Sequence, residues 1–225
     1  MSEIHIGQVA EAANFWDSNT FATLLGVVIA SLITGIGSLL ARRASNQLTA
    51  KLIVAKVAIM LTNLKALNKH VTGDLKAGES KGMEPWQCVF PSANLMAPIF
   101  FSDQENSLCL ELLGFKIFGN LHQLEETHNT HLSMMRSFGE RKNEIKDRLP
   151  PNTKATGGFI ATKAEKLALL PYTADMNSLI REIVTSIDKD MATALYTLEE
   201  LKRLFHKKLG VRFLKPEKIV AAKSA

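Results

Sequence analysis

The longest apolar stretch of the chain lies between Asp17 and Arg42, and none of the 24 intervening positions is charged. Residues 21–41 hold 14 apolar side chains, three glycines and four serines or threonines. As an α-helix they extend about 31 Å, against about 30 Å for the hydrocarbon core of a bilayer. Their Leu, Ile, Val and Phe side chains favour insertion by roughly 3 to 7 kcal/mol, before the cost of the polar positions. The pattern predicts one transmembrane helix at residues 19–41.

Three other interpretations of this segment stay open. A cleaved signal peptide has a basic N-terminal region and a shorter apolar run, whereas the residues before this segment are acidic. A buried helix of a soluble protein is compatible with the glycines and serines that dilute the run. An interfacial helix needs a strongly polar face, which this segment lacks. A membrane span accounts for the pattern best.

The charge of the chain changes sign across this segment. The first 41 residues contain three acidic and no basic residues, whereas the remainder contains all 27 basic residues and 19 acidic ones. Because positively charged flanks stay in the cytoplasm, Arg42 and Arg43 predict a plasma (inner) membrane protein with an outer arm, residues 1–18, and a cytoplasmic domain, residues 42–225. Trp16 lies at the outer boundary, where aromatic side chains anchor membrane helices.

Small residues recur every four positions along the predicted span. Such a stripe lets two helix backbones approach closely, which drives association inside a bilayer. It predicts self-association or docking on another membrane helix. The packing positions are Ala22, Gly26, Ala30, Thr34 and Ser38.

Hydroxyl groups in the same segment leave a second possibility open. If several copies assemble around an aqueous axis, the hydroxyls are the groups that line a narrow pore. They belong to Thr23, Ser31, Thr34 and Ser38.

An apolar seam with alternating spacings of four and three follows the predicted span, which indicates a helix that packs on a core. Its members are Ile53, Val57, Met60, Leu64, Leu67 and Val71. Since no glycine or proline interrupts residues 39–72, the membrane helix is predicted to continue into this one and to end at Gly73.

Glycines and prolines exclude a long helix in much of residues 73–101, although this stretch is rich in aromatic residues. We expect a loop packed over the helical core. A segment that dips into lipid headgroups is the alternative. The aromatic side chains concerned are Trp86, Phe90, Phe100 and Phe101.

Two further helices complete the predicted fold. Ser102 and Glu105 form a capping box that starts a helix reaching to about Arg148, followed by a linker at 152–158. Gly114, Gly119 and Gly139 are the weak points at which this helix can break. The last helix is predicted at residues 172–209 and is stopped by Gly210. The fold class is therefore all-α, with a transmembrane helix continuing into a bundle of three to four long antiparallel helices. The first of these helices is expected to bury Leu108, Leu112, Phe115, Phe118 and Leu121.

The strongest candidates for metal ligands are Glu125, His128 and His131, because Glu125 and His128 share one helix face. The chain has no second Glu-x-x-His pattern, so we predict no metal site and no cofactor. It also lacks a phosphate-binding glycine loop, a nucleophile elbow and a zinc-protease motif. These observations predict a non-enzymatic protein with no small-molecule substrate.

Basic residues are concentrated near the C-terminus, where they suit an anionic lipid surface or, less well, a nucleic acid. The alternative is a solvated helix end, which cations stabilise. The residues are Lys202, Arg203, Lys207, Lys208, Arg212 and Lys215.

The two cysteines, Cys88 and Cys109, are expected to be free thiols under the predicted topology. The leading functional hypothesis is a membrane protein that self-associates and scaffolds an assembly. A pore-forming oligomer, and a tethered module that binds anionic lipid or nucleic acid, are the alternatives.

Overall fold

A computed structural model of the chain describes residues 19–91, 96–148 and 163–213. Within these ranges the protein is helical and contains no strand, which confirms the predicted all-α class. The chain divides into two compact units, Met1–Leu48 and Thr49–Ala225. The described helices are α1 (Asn19–Glu79), α2 (Pro85–Cys88), α3 (Asp103–Leu113), α4 (Phe115–Arg148) and α5 (Lys163–Leu209).

Helix α1 does not end at Gly73, and that prediction was wrong. The helix continues for six residues to Glu79, because Gly73 keeps helical geometry on an exposed face. The chain instead turns at Gly82, whose φ of 63° lies in the left-handed region that glycine adopts without strain. The glycine with the required conformation therefore lies nine positions further along than the one the pattern suggested.

The second unit is a bundle built on the long helices. Helices α4 and α5 are antiparallel, because His131 bonds to Asp190 while the later Arg141 bonds to the earlier Asp175. The predicted seam of α1 and the apolar face of α5 both line the core. The fully buried members include Ile53, Val57, Met60, Leu64, Ile180, Ile183, Leu201 and Phe205.

Helices α1 and α4 run parallel, so not every neighbouring pair is antiparallel as predicted. Asn63 of α1 bonds to His128 of α4. Further along both helices, His70 and Lys142 donate to the adjacent carbonyls of Phe90 and Val89, respectively. Two parallel neighbours need a connection that returns to the starting end.

That return is made by the connection after α2 and then by α3. Its first part lies beside His70, which bonds to Phe90, and its last part lies beside Lys56, which bonds to Phe100. The described parts of the connection, residues 89–91 and 96–101, therefore lie at the two ends of the position that a second long helix occupies in an up-and-down bundle. Trp86 is buried, but it lies in the short helix α2 and not in the predicted loop, whereas the rings of Phe90 and Phe100 are exposed.

Helix α3 begins as predicted. Ser102 accepts a hydrogen bond from the Glu105 backbone, and the Glu105 side chain accepts one from the Ser102 backbone. The predicted helix to residue 148 is broken at Gly114, the first of its three predicted weak points, whose φ is 81°. The break changes the phase of the apolar face, so Phe115, which was predicted to be buried, is 81% exposed.

Helix α5 begins at Lys163, nine residues before the predicted start, and includes Pro171. It ends at Leu209, as predicted, because Gly210 adopts a φ of 69°. The predicted linker at residues 152–158 lies outside the described ranges. Cys88 and Cys109 are both buried and free, as expected.

Candidate functional site

The apolar half of α1 is the most unusual surface of the chain. Every residue from 25 to 40 is exposed. The large aliphatic ones are each 48–68% exposed. They are Leu25, Val27, Val28, Ile29, Leu32, Ile33, Ile36, Leu39 and Leu40.

Length and composition make α1 able to cross a membrane, from Leu25 onward, and within the described ranges it is the one helix with this property. The same properties occur in signal sequences and in core helices of soluble proteins, so they carry limited weight alone. The window's complete exposure distinguishes it from a core helix, which packs against its own domain.

The predicted packing stripe lies on this surface. A Cβ added to Gly26 would meet nothing within 4 Å, so the backbone there is open to a neighbouring helix. Ala30 is exposed, and the Thr34 hydroxyl donates to its carbonyl at 2.8 Å. Ser38 donates to the carbonyl of Gly35 at 2.8 Å. The helical position of Ala22 is described, but its side chain is not.

Of the residues predicted to lie at the membrane interface, the structure describes only those that follow the span. Arg42 and Arg43 are exposed on α1, directly after the apolar window. Trp16 lies outside the described residues.

The three metal candidates all lie on α4 but serve separate contacts. The carboxylate of Glu125 accepts a hydrogen bond from the backbone of Phe101 at 2.8 Å. Nε2 of His131 is 2.8 Å from the carboxylate of Asp190. Across the described ranges, no group of three or more His, Cys, Asp or Glu side chains is placed to hold one ion.

His128 belongs to a buried polar junction between α1, α4 and the connection. The Asn63 amide donates to its Nε2, and its Nδ1 donates to Asn129. Burial lowers the pKa of His128, with a smaller opposing effect from Asn129 and a further lowering by His131. The imidazole is therefore held neutral, and the junction fixes the lateral packing of the bundle.

The predicted basic residues gather at the end of α5. The amide of Gly210 donates to the carbonyl of His206, and that of Val211 bonds to Phe205, so the chain folds back over the last turn. Val211 enters the core, while Arg212 stays exposed. The turn encloses a shallow groove of about 490 Å³, lined by Glu199, Lys202, Arg203, His206, Val211, Arg212 and Phe213.

Two of these cations are neutralised locally. Lys202 bonds to Glu199 at 2.9 Å, and Arg203 bonds to Glu200 at 2.7 Å. The remaining predicted residues differ from them: Lys207, Lys208 and Arg212 are exposed and form no ion pair within the described ranges, whereas Lys215 lies outside those ranges.

Sequence reasoning missed one residue of this region, Phe115, because it was assigned to a buried helix face. Lys116, beside it, lies close enough to Glu200 of α5 to contribute, after the hydrogen bond from Arg203, to lowering the pKa of that carboxyl. The start of α4 and the end of α5 are therefore neighbours. The signal that could have found Phe115 was Gly114, if the helix break had been placed there.

Comparison with models of protein families, with characterised proteins and with solved structures gives no match to this chain.

Proposed function

We propose that this chain is a non-enzymatic, single-pass membrane protein that self-associates through its span and scaffolds a membrane-bound assembly. The observation that carries the proposal is the full exposure of residues 25–40. Nine large aliphatic side chains that face water there would cost on the order of 10 kcal/mol relative to an apolar environment. Insertion into a bilayer removes that cost.

The continuity of α1 argues against a cleaved signal peptide. Helix α1 runs from Asn19 to Glu79, and its second part carries the apolar seam of the bundle. A cleavage site directly after the apolar run would fall inside this helix, whereas processing enzymes act on accessible, unfolded segments. A permanent span is therefore the better interpretation.

The orientation follows from the flanks. Arg42 and Arg43 would remain in the cytoplasm under the positive-inside bias, with the N-terminal arm outside. The membrane concerned would then be the plasma membrane or, in a bacterium, the inner membrane.

Self-association is supported by the open backbone of the stripe. Nothing lies within 4 Å of a Cβ added at Gly26 or at Gly35, so a second helix is free to approach both positions. The Thr34 and Ser38 hydroxyls bond to carbonyls of their own helix, so packing a partner over them leaves no polar group unsatisfied.

The hydrogen bonds of these hydroxyl groups to their own helix also argue against the pore-forming alternative. The Ser31 hydroxyl donates to the carbonyl of Val27 at 2.8 Å, like those of Thr34 and Ser38, so none of the three needs water to satisfy it. The hydroxyl of Thr23 is not described. A conductance measurement on vesicles that carry the purified protein tests this alternative directly.

The proposal is tested in two steps on the full chain. First, membranes that contain the protein are washed at alkaline pH, and the protein should stay with the bilayer until detergent is added. Second, the mass of the detergent-solubilised protein is measured by light scattering. The double substitution Gly26→Leu with Ala30→Leu should reduce that mass to the monomer, because two leucines prevent close backbone approach.

A control variant adds bulk to the opposite face of the same helix. Val28→Phe with Leu32→Phe changes two exposed positions that lie away from the stripe, so the mass should stay that of the wild type. If alkaline washing releases the protein, the span is wrong. If wild type and both variants are all monomers, the span stands and self-association through the stripe does not.

A further inference from the structure

Among the described residues of the second unit, Phe115 is the most exposed large apolar side chain, at 81%. It opens α4 directly after the break at Gly114, so it projects from a turn rather than from the middle of a helix face. A Phe side chain stabilises a core or an interface through the large apolar area that it buries. This one is left uncovered by the described chain.

The turn at Phe115 lies at the same end of the bundle as the last turn of α5. Helices α4 and α5 are antiparallel, and Lys116 is close enough to Glu200 to affect its pKa. Antiparallel pairing of Asn68 with Asp188 also brings the end of α5 toward the beginning of the second unit at Thr49. We call this region the Thr49 end of the bundle.

The Thr49 end is strongly basic. Glu199 and Glu200 are bonded to cations within their own helix, and Glu111 is the acidic residue in the last turn of α3. These three carboxylates are outnumbered by six basic residues, of which Lys116, Lys207, Lys208 and Arg212 are exposed and the other two are Lys202 and Arg203. An exposed ring beside cations that form no ion pair within the described ranges, such as Lys207, Lys208 and Arg212, is the combination that binds anionic bilayer surfaces.

We propose that the Thr49 end docks on an anionic lipid leaflet, with Phe115 inserted among the headgroups and Lys207, Lys208 and Arg212 bound to lipid phosphates and carboxylates. The inference rests on the proposed function, because Thr49 follows the predicted span by only eight residues in the sequence. Because so few residues separate the predicted span from the second unit, insertion of the span raises the effective concentration of headgroups for that unit.

The test uses the full chain in lipid nanodiscs, with Phe115→Trp as the reporter and Trp16→Phe to reduce background. Trp86 is buried and serves as an internal reference. In nanodiscs rich in phosphatidylserine, a lipid spin label placed near the headgroups should quench the new tryptophan. In phosphatidylcholine nanodiscs, or at high salt, the quenching should disappear, because the attraction is electrostatic.

Two variants make the test specific. Exchanging Lys207, Lys208 and Arg212 for glutamine should weaken docking about a hundredfold, at about fivefold for each basic group near an anionic surface. Phe90→Trp places an exposed ring near His70, toward the opposite end of the second unit, and should not be quenched in any lipid. Both substitutions are at exposed positions, so the circular dichroism of the bundle should not change.

The possible outcomes separate a failure of the proposed membrane span from a failure of the docking proposal. If the chain does not incorporate into nanodiscs at all, the proposed membrane span fails, and the docking proposal fails with it. If the chain incorporates but the tryptophan of the Phe115→Trp variant is quenched no more than that of Phe90→Trp, only the docking proposal is wrong. If that variant is unquenched while the triple glutamine exchange abolishes salt-sensitive binding of a single-stranded RNA probe, the cations serve nucleic acid instead.

Discussion

Gly78 is the position at which a single methyl group should do most damage to the second unit. It is buried in the last turn of α1, against the short helix α2. A Cβ built there overlaps Sγ of Cys88 and lies 2.5 Å from its Cβ. Rotation about the Cys88 Cα–Cβ bond can move Sγ but not Cβ, whose position is fixed by the backbone of α2, so Gly78→Ala has to displace α2 or the end of α1.

Gly73, five residues earlier in the same helix, is the matched control. A Cβ there meets nothing within 4 Å, so Gly73→Ala should raise the free energy of unfolding by about 0.5–1 kcal/mol through backbone entropy. At Gly78, any such gain is opposed by an overpacking cost of about 1–3 kcal/mol. The two variants should therefore differ by about 1–3 kcal/mol, with Gly78→Ala the less stable.

The two cysteines provide the assay. Both are buried, and burial raises the pKa of Cys109 to about 12, so this thiol reacts only when the fold opens. Alkylation of the full chain in detergent, followed by mass spectrometry of each cysteine peptide, gives two opening rates. In Gly78→Ala, Cys88 should react about 5- to 150-fold faster than in Gly73→Ala, which is the same energy difference expressed as an equilibrium constant.

The expected difference between the two glycine variants arises from the contact between Gly78 and Cys88. An acceleration at Cys88 that exceeds the one at Cys109 would show that the strain is local to α2. Equal acceleration at both thiols would show that the strain spreads through the core. If Cys88 reacts at the same rate in the two glycine variants, the close packing of α1 against α2 does not exist, and the prediction is refuted.

Two further predictions concern buried titratable side chains. Lys142→Met should lower the stability of the second unit by about 1.5–3 kcal/mol in urea denaturation, because the buried ammonium donates to the Val89 carbonyl at 2.6 Å and lies 4.3 Å from the centre of the Phe90 ring; an unchanged midpoint would contradict that role. Stability should also fall with acid in two windows, measured as the denaturation midpoint against pH. Burial lowers the pKa of His128, so its contribution is complete above about 6.5 and decreases as the pH falls below that value, and His128→Gln should remove this first window. For Glu105, burial raises the pKa, but bonds from Lys56 and Ser102 outweigh it and lower the pKa overall, so the second window lies below 4.5 and Glu105→Gln should remove it.

Local sequence patterns predicted the structure correctly wherever a single short contact determines it. Ser102 and Glu105 form the capping box that their spacing predicts, and Gly210 ends α5 where the apolar pattern stops. The seam of α1 could be read for the same reason, since helical periodicity alone determines which side chains face one side. The exposed apolar window and the basic residues of α5 were also visible in the sequence.

Glycine was the main source of error, because its presence does not reveal its φ. Gly73 is helical while Gly82 and Gly114 are left-handed, and only the packing around them selects between these conformations. Placing the break at Gly114 would have changed the assignment of Phe115 from core to surface. The parallel arrangement of α1 and α4 was equally hidden, because it depends on a connection without helical periodicity.

That connection is fixed by side chains that belong to other elements. Asn129 accepts from the backbone amide of Ile99 and donates to its carbonyl, and Glu125 accepts from Phe101. On α1, Lys56 and Asp74 hold the backbone of Phe100 and Phe90, respectively. Side chains on α1 and α4 therefore determine the path of the connection, and they do so by bonding to its main chain and not to its side chains. The exposed side chains of the connection should therefore tolerate substitution. Asn129 and Glu125, which bond to the main chain of the connection, should tolerate almost none.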